Sequence, residues 1–425
     1  GQMRNKERIM LVGIGELGGI VLEFLARIPG ICDIVTADAN EDWGLRKTNS
    51  AILGASYRGL YPNVTFFPVN LLEVEKTAAT LAEVNPTIIY NAATLQSWWV
   101  VNELPPDVRA GLYKDRCGLG PWSAMHLALA ARLMKAVDMS GTDTYVVNAA
   151  FPDMTNASLS RVGLVPTAGI GNMDLIVPYI RKAASELLSV PMSNVGVEMI
   201  AHHYHGYNWP RSGVGFDAPH YLRVYVGPQD VTDRLGDMRQ FVAELPKRAR
   251  RPAGRHGQFV VAASSVKNIM AILNDTGELT HAPGPQGLEG GYPVRLSRAG
   301  AQVVPPEGMT LEQARGLMLE AQRYDGIQEI RDNGDVVLTD EAYAEARDGL
   351  IDDGTLGRGK GRGGSIYRAD VADLELTAPV AKEPKPATGT RKKTSRKSDD
   401  PTEVLSYRHG ETRVNNPEVG MVHAD

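Results

Sequence analysis

The chain has 425 residues and a mass of 46.0 kDa, with 45 Lys and Arg against 50 Asp and Glu, a formal net charge of −5. That balance excludes a basic nucleic-acid coat, the lack of any run near the ~20 apolar residues of a bilayer span excludes a helical membrane protein, and two cysteines, Cys32 and Cys117, exclude a disulfide framework or a thiolate zinc cage. The opening GQMRNKERIM lacks the apolar segment of a secretory signal, so a soluble, cytoplasmic protein of two or three units is expected.

Arg8 to Ile14 is a short apolar run of the kind buried on both faces of a parallel sheet, and helical spacing of apolar residues follows from Glu16 to Arg27. Asp33 to Ala37, stopping at Asp38, and Val64 to Pro68 read as the next strands. A helix over Leu72 to Val84, a strand over Thr87 to Asn91, a helix over Trp122 to Val137 and a strand over Thr144 to Asn148 complete the alternation. Such alternation predicts a doubly wound parallel sheet, a Rossmann-type domain over residues 7–155. Beyond it the spacing predicts a helix at Asp174 to Leu188, strands at Val195 to Ala201 and Tyr221 to Val226, and a helix at Gln258 to Asn274. A hairpin at Tyr292 to Val304 around Ala299-Gly300 and a helix at Leu311 to Tyr324 follow, giving a mixed α/β substrate domain over 156–350. From 351 to 425 the chain is rich in charge, Pro, Ser and Gly, too poor in apolar residues to offset its ordering entropy, and reads as a flexible linker and tail. The basic run Arg391 to Lys397 within it reads as a solvated segment, and no nucleic-acid partner is expected.

Gly13-Ile14-Gly15-Glu16-Leu17-Gly18 fits G-x-G-x-x-G between a predicted strand and a predicted helix. The first Gly makes the turn, the second lets a pyrophosphate approach bare backbone, and the third allows close helix–strand packing. The helix N-terminus adds N–H donors and a positive dipole end. Asp38 ends the next strand, where a carboxylate accepts both ribose hydroxyls and repels a 2′-phosphate, so NAD is the expected cofactor, with Arg46 and Lys47 the nearby cations that would argue for NADP. Ile88 to Ala93 (IIYNAA) resembles the strand that faces the nicotinamide side in saccharopine-type and short-chain reductases, which adds Asn91, Ala92 and Ala93 to the expected cofactor contacts.

Across about 320 residues the order of segments resembles the lactate/malate dehydrogenase superfamily, which includes the family 4 glycoside hydrolases. Val146-Val147-Asn148 running on through Pro152-Asp153-Met154-Thr155 is similar to its V-x-N-P-x-D-x-x-T segment, Gly169 to Asp174 to its G-x-x-x-L-D helix start, and His205-Gly206 to its catalytic His-Gly. The resemblance implies His205 as acid/base, oriented by Asp174, with Asn148 at the strand end hydrogen-bonding a substrate oxygen. Two departures stand out: the carboxylate-gripping Arg of the dehydrogenases is replaced by Val177, and the glycosidases' metal-binding Cys by Asn172. Simple 2-hydroxy acids are therefore expected to be poor substrates, and no metal is assigned, although His202, His203 and His205 have the composition of a metal loop or of a polar cluster at a strand end. Leu95 to Gly120, with Trp98 and Trp99, occupies the place of the superfamily's active-site loop, and Arg109 and Arg116 are its cations for substrate, with His203 beside them. The same tryptophans suit a subunit interface, and a homo-oligomer is expected. Taken together these features imply an NAD-dependent oxidoreductase acting on a polar small molecule. An NAD-assisted glycosidase or lyase and a non-catalytic NAD-binding scaffold are the alternatives.

Overall fold

The computed structural model describes residues 7–98, 106, 110, 116–252, 254–345 and 366–367. Arg109 and almost all of the tail expected from 351 lie outside them, including all of the separate unit 376–425.

Six parallel strands form the central sheet: β1 (Arg8–Val12), β2 (Asp33–Asp38), β3 (Val64–Pro68), β4 (Ile88–Asn91), β5 (Tyr145–Asn148) and β6 (Ala168–Gly169), in the order β3-β2-β1-β4-β5-β6. Strand order reverses between β1 and β4, the crevice where doubly wound sheets bind ligands. Side chains alternate across β1, so Ile9 and Leu11 join one apolar cluster while Met10 and Val12 join another. The first cluster includes α1 (Glu16–Leu25); the second includes α3 (Val74–Val84), which follows α2 (Glu41–Ser56), and α4 (Ser123–Ser140). Helix α2 was not expected from the sequence. The face it buries is built of Gly44, Thr48, Ala51 and Ala55, too small to mark an apolar period, while Asn40 caps it by accepting the Trp43 N–H at 3.0 Å.

After α5 (Pro152–Arg161) and α6 (Ile176–Leu188) comes an antiparallel sheet of β7 (Val195–Ile200), β8 (Tyr221–Val226) and β9 (Gln229–Asp230). Between β7 and β8 lies α7 (His203–Ser212), a helix over the residues read as a polar cluster at a strand end. Helices α8 (Met238–Arg248) and α9 (Gln258–Leu273) follow; α9 packs on α1 and so closes one face of the parallel sheet. The expected hairpin is β11 (Gly291–Ser297) with β12 (Gly300–Val303), and β10 (Leu279–Pro283) pairs with its other edge. Helix α10 (Leu311–Ala321) ends in a 3₁₀ turn over Gln322–Asp325. This last turn places a carboxylate at the site described next.

Candidate active site

A cleft of about 890 Å³ crosses the carboxyl ends of β1 and β4, from Asp38 and Leu71 at one end to Phe151, Asn172 and His203 at the other. The glycine turn forms its floor. Gly13 sits at φ 82°, and a Cβ there would come within 2.7 Å of the Ala93 nitrogen, while one on Gly18 would strike the Gly13 carbonyl. Gly15 differs: a Cβ there would meet nothing within 4 Å, because it points into the open cleft. Glu16, Leu17, Ala92 and Ala93 also line the cleft. Ile14 is buried and contributes its backbone, whose N–H donates to Asp38 Oδ2 at 2.9 Å. Asp38 Oδ1 accepts the Asn40 N–H at 2.9 Å, which fixes the carboxylate beside the turn. The two cations that would favour NADP are engaged elsewhere, Arg46 with Asp42 at 2.7 Å and Lys47 over the Trp43 ring at 5.0 Å.

At the far end His203 occupies the first turn of α7. Its Nδ1–H donates to Asp325 Oδ2 at 2.6 Å, its backbone N–H donates to Asp153 Oδ1 at 2.8 Å, and its ring lies 4.8 Å from that of Phe151. Asp325 also accepts the Leu119 N–H at 3.2 Å, and Asp153 accepts from the Asn172 amide. Burial alone would lower the His203 pKa, but the charge and hydrogen bond of Asp325 outweigh it and hold the imidazole above its ordinary range. Burial acts on Asp325 in the opposite sense and is likewise outweighed, chiefly by the His203 charge, so its carboxyl is held low. The pair is a hydrogen-bonded His–Asp dyad, with His203 lining the inner end of the cleft.

The expected catalytic pair is not assembled. His205 is fully buried behind the cleft: its Nδ1 accepts the His202 N–H at 3.2 Å and its Nε2–H donates to the Ala218 carbonyl at 3.2 Å. Burial, then the neighbouring His220, push its pKa down to about 3, so it is a neutral structural imidazole that helps cap α7. Asp174 turns away from it, to Ser264 Oγ at 2.6 Å and Lys267 Nζ at 2.7 Å on α9. Asn148 is buried and saturated, accepting from Asn91 Nδ2 at 3.0 Å and the Ala150 N–H at 3.0 Å while donating to Asn156 Oδ1 at 2.9 Å. Asn91 in turn accepts the Ala93 N–H at 3.1 Å, so it shapes the loop after β4 without lining the cleft. Arg116 is exposed, outside the cleft, with its guanidinium 5.9 Å from the Tyr324 ring centre. His202 and His203 both face Asp325 Oδ2, at 3.6 and 2.6 Å, while His205 turns to the Ala218 carbonyl, and among the described residues no group of three or more His, Cys, Asp or Glu is disposed to hold a metal ion. No helix among those residues is long and apolar enough to cross a membrane.

The sequence matches no protein-family model and no curated protein at a significant level. Solved structures do match. The lactate dehydrogenase of Cryptosporidium parvum, solved with lactic acid and nicotinamide adenine dinucleotide, gives a TM-score of 0.53 at 16% identity over 75% of this chain and 96% of that one. That of Eimeria maxima, solved with NADH and oxamate, gives 0.53 at 14% over 85% and 99%, and the malate dehydrogenase of Picrophilus torridus 0.53 at 14% over 82% and 100%. The fold is that of the lactate and malate dehydrogenases. Within this dehydrogenase fold, Val177 is buried in an apolar cluster with Ile176 and Ile180, so no cation can act from that place. Arg181, the next arginine along α6, is exposed and outside the cleft. Two residues at the inner end, Asp325 and His126, had no signal in the sequence. Asp325 lies 122 positions from its partner and His126 sits in an ordinary amphipathic helix, so only the tertiary fold brings Asp325 to His203 and His126 to the cleft.

Proposed function

We propose that the protein is an NAD-dependent oxidoreductase that acts on an alcohol or carbonyl carbon of a polar small molecule, with His203, held by Asp325, as its acid/base group. The observation that carries this reading is a single cleft joining a glycine turn, open at Gly15, to a buried His–Asp dyad. The residues present fit the dinucleotide: Gly15 leaves room for a pyrophosphate over the N-terminus of α1, and Asp38 stands where a ribose would present its hydroxyls. The dehydrogenase fold agrees with this use of the cleft, and a non-catalytic scaffold has no evident need of a charged dyad there.

NAD, when bound, supplies the hydride acceptor for an alcohol and, reduced, the donor for a carbonyl. The protein supplies the proton chemistry. Asp325 fixes the Nδ1–H tautomer of neutral His203, so Nε2 can take the proton of an alcohol, and the imidazolium that forms is stabilised by the adjacent carboxylate. In the reducing direction the same Nε2–H protonates the developing alkoxide. Asp153 holds the backbone from which the imidazole projects.

A panel of polar alcohols with NAD, read by formation of reduced nicotinamide, tests the assignment. His203→Gln should lower kcat at least about a hundredfold, the low end of general acid–base contributions, with NAD affinity unchanged. His205→Gln should leave the kcat of the folded protein within a few fold. The reverse pattern would return the acid/base role to His205.

A further inference from the structure

The inner end of the cleft holds a second histidine that the acid/base step does not use. His126, in the first turns of α4, lines the cleft and is 6% exposed, and among the described residues neither of its ring nitrogens has a hydrogen-bond partner. It meets the Phe151 ring edge-on at 6.3 Å, and the same ring carries His203 at 4.8 Å. A buried polar group left unpaired costs about 1–3 kcal/mol, so a native fold keeps one where an occupant satisfies it.

The charge state of that imidazole says what the occupant is. Burial, then the charge of His203, lower the His126 pKa to about 4, so at neutral pH the ring offers one N–H donor and one bare acceptor nitrogen. A hydroxyl complements both. A carboxylate, all acceptor, complements only one, and among the described residues Val177 is core, Arg211 is stacked 4.0 Å from the Tyr207 ring centre, and Arg251 is bound to the Tyr179 hydroxyl and the Gly257 carbonyl. The His203 charge is already matched by Asp325.

We propose that His126 is a substrate-binding residue. Resting on the oxidoreductase reading above, the substrate is an uncharged vicinal diol, or its hydroxy-carbonyl counterpart, with the reacting oxygen on His203 and the neighbouring hydroxyl on His126. The absent arginine then marks a change of substrate class, from 2-hydroxy acids to neutral hydroxy compounds.

The full chain, saturated with NAD and carrying isotope-labelled histidine rings, is titrated with glycerol and, separately, with lactate. The His126 resonance, assigned by its loss in His126→Phe, should move with glycerol and stay with lactate. Turnover should follow the same order. In His126→Phe the KM for glycerol should rise at least about tenfold, with kcat falling less and NAD affinity unchanged, and His126→Gln, which keeps a donor and an acceptor, should recover part of the loss. A His126 signal that follows lactate, or a KM for glycerol that ignores His126→Phe, overturns the proposal. Failure of the oxidoreductase reading is distinguishable, because it shows as absent NAD binding by calorimetry or as bound NAD that no polar alcohol reduces, and the substrate assignment falls with it. A protein that binds NAD while its His126 signal ignores glycerol loses the substrate assignment alone.

Discussion

His203 and His205 stand two positions apart on a helix, and at about 100° per residue that separation sends their side chains to opposite sides. One reaches the cleft and Asp325; the other is enclosed with Trp209 and His220. Their pKa values move in opposite directions for the same reason, since burial lowers both and only His203 has a carboxylate to reverse the effect. A raised His203 pKa has a definite kinetic sign. The base form is scarce below that pKa, so kcat/KM for alcohol oxidation should rise as pH climbs through a value above 6.5, while carbonyl reduction should fall. Asp325→Asn, which removes the partner charge, should move both inflections to lower pH, and a pH–rate profile of each variant checks it. The turn residues were legible from sequence because Gly13, Gly15, Gly18 and Asp38 act through local backbone geometry. The dyad was not, because its partner comes from 122 positions away and the polar run around it gives no helical apolar period.

Helix α7 and the turn before α6 show how one element changes the meaning of a motif. The Gly169 to Asp174 segment has the order expected of a dehydrogenase helix start, yet its carboxylate is recruited by α9, where Lys267 also donates to Thr280 Oγ1 and the His281 carbonyl. Asp174 therefore ties the 3₁₀ turn at Asn172–Leu175 to α9 and does not reach His205. Asp174→Asn should cost about 1 kcal/mol by removing the charged partner of the partly exposed Lys267, measured by urea unfolding, with the pH–rate profile of the remaining folded enzyme unchanged. Two strands, by contrast, match their expected bounds: Val64–Pro68 and Tyr221–Val226 fall where their apolar and β-branched runs begin and end, whereas β6 and β10 were not expected. Elements without such runs, α2 and α7 among them, were missed for the same physical reason.

For the molecule as a whole, the buried histidines set the pH range of stability. His126 and His281 are lowered to about 4 and His205 to about 3, burial being the first cause in each, while an unfolded His titrates near 6.5. Between pH 6.5 and about 4 the unfolded chain binds more protons than the native one, so stability should fall as pH drops, by about 1.4 kcal/mol per pH unit for each histidine. His203 runs the other way: its contribution is complete below 6.5 and is lost as pH rises through its folded pKa. Denaturation midpoints across pH 4 to 9 should therefore peak near neutrality and fall most steeply on the acid side. Whether the cleft at the β1–β4 switch point is a dinucleotide site is decided by calorimetric titration of NAD into the wild type and Gly15→Val. Of the turn glycines Gly13, Gly15 and Gly18, Gly15 is the one where an added Cβ meets no protein atom within 4 Å, so the variant should fold as the wild type does. One NAD per chain is expected for the wild type and none for the variant, whereas equal binding to both, or binding to neither, would refute the dinucleotide site.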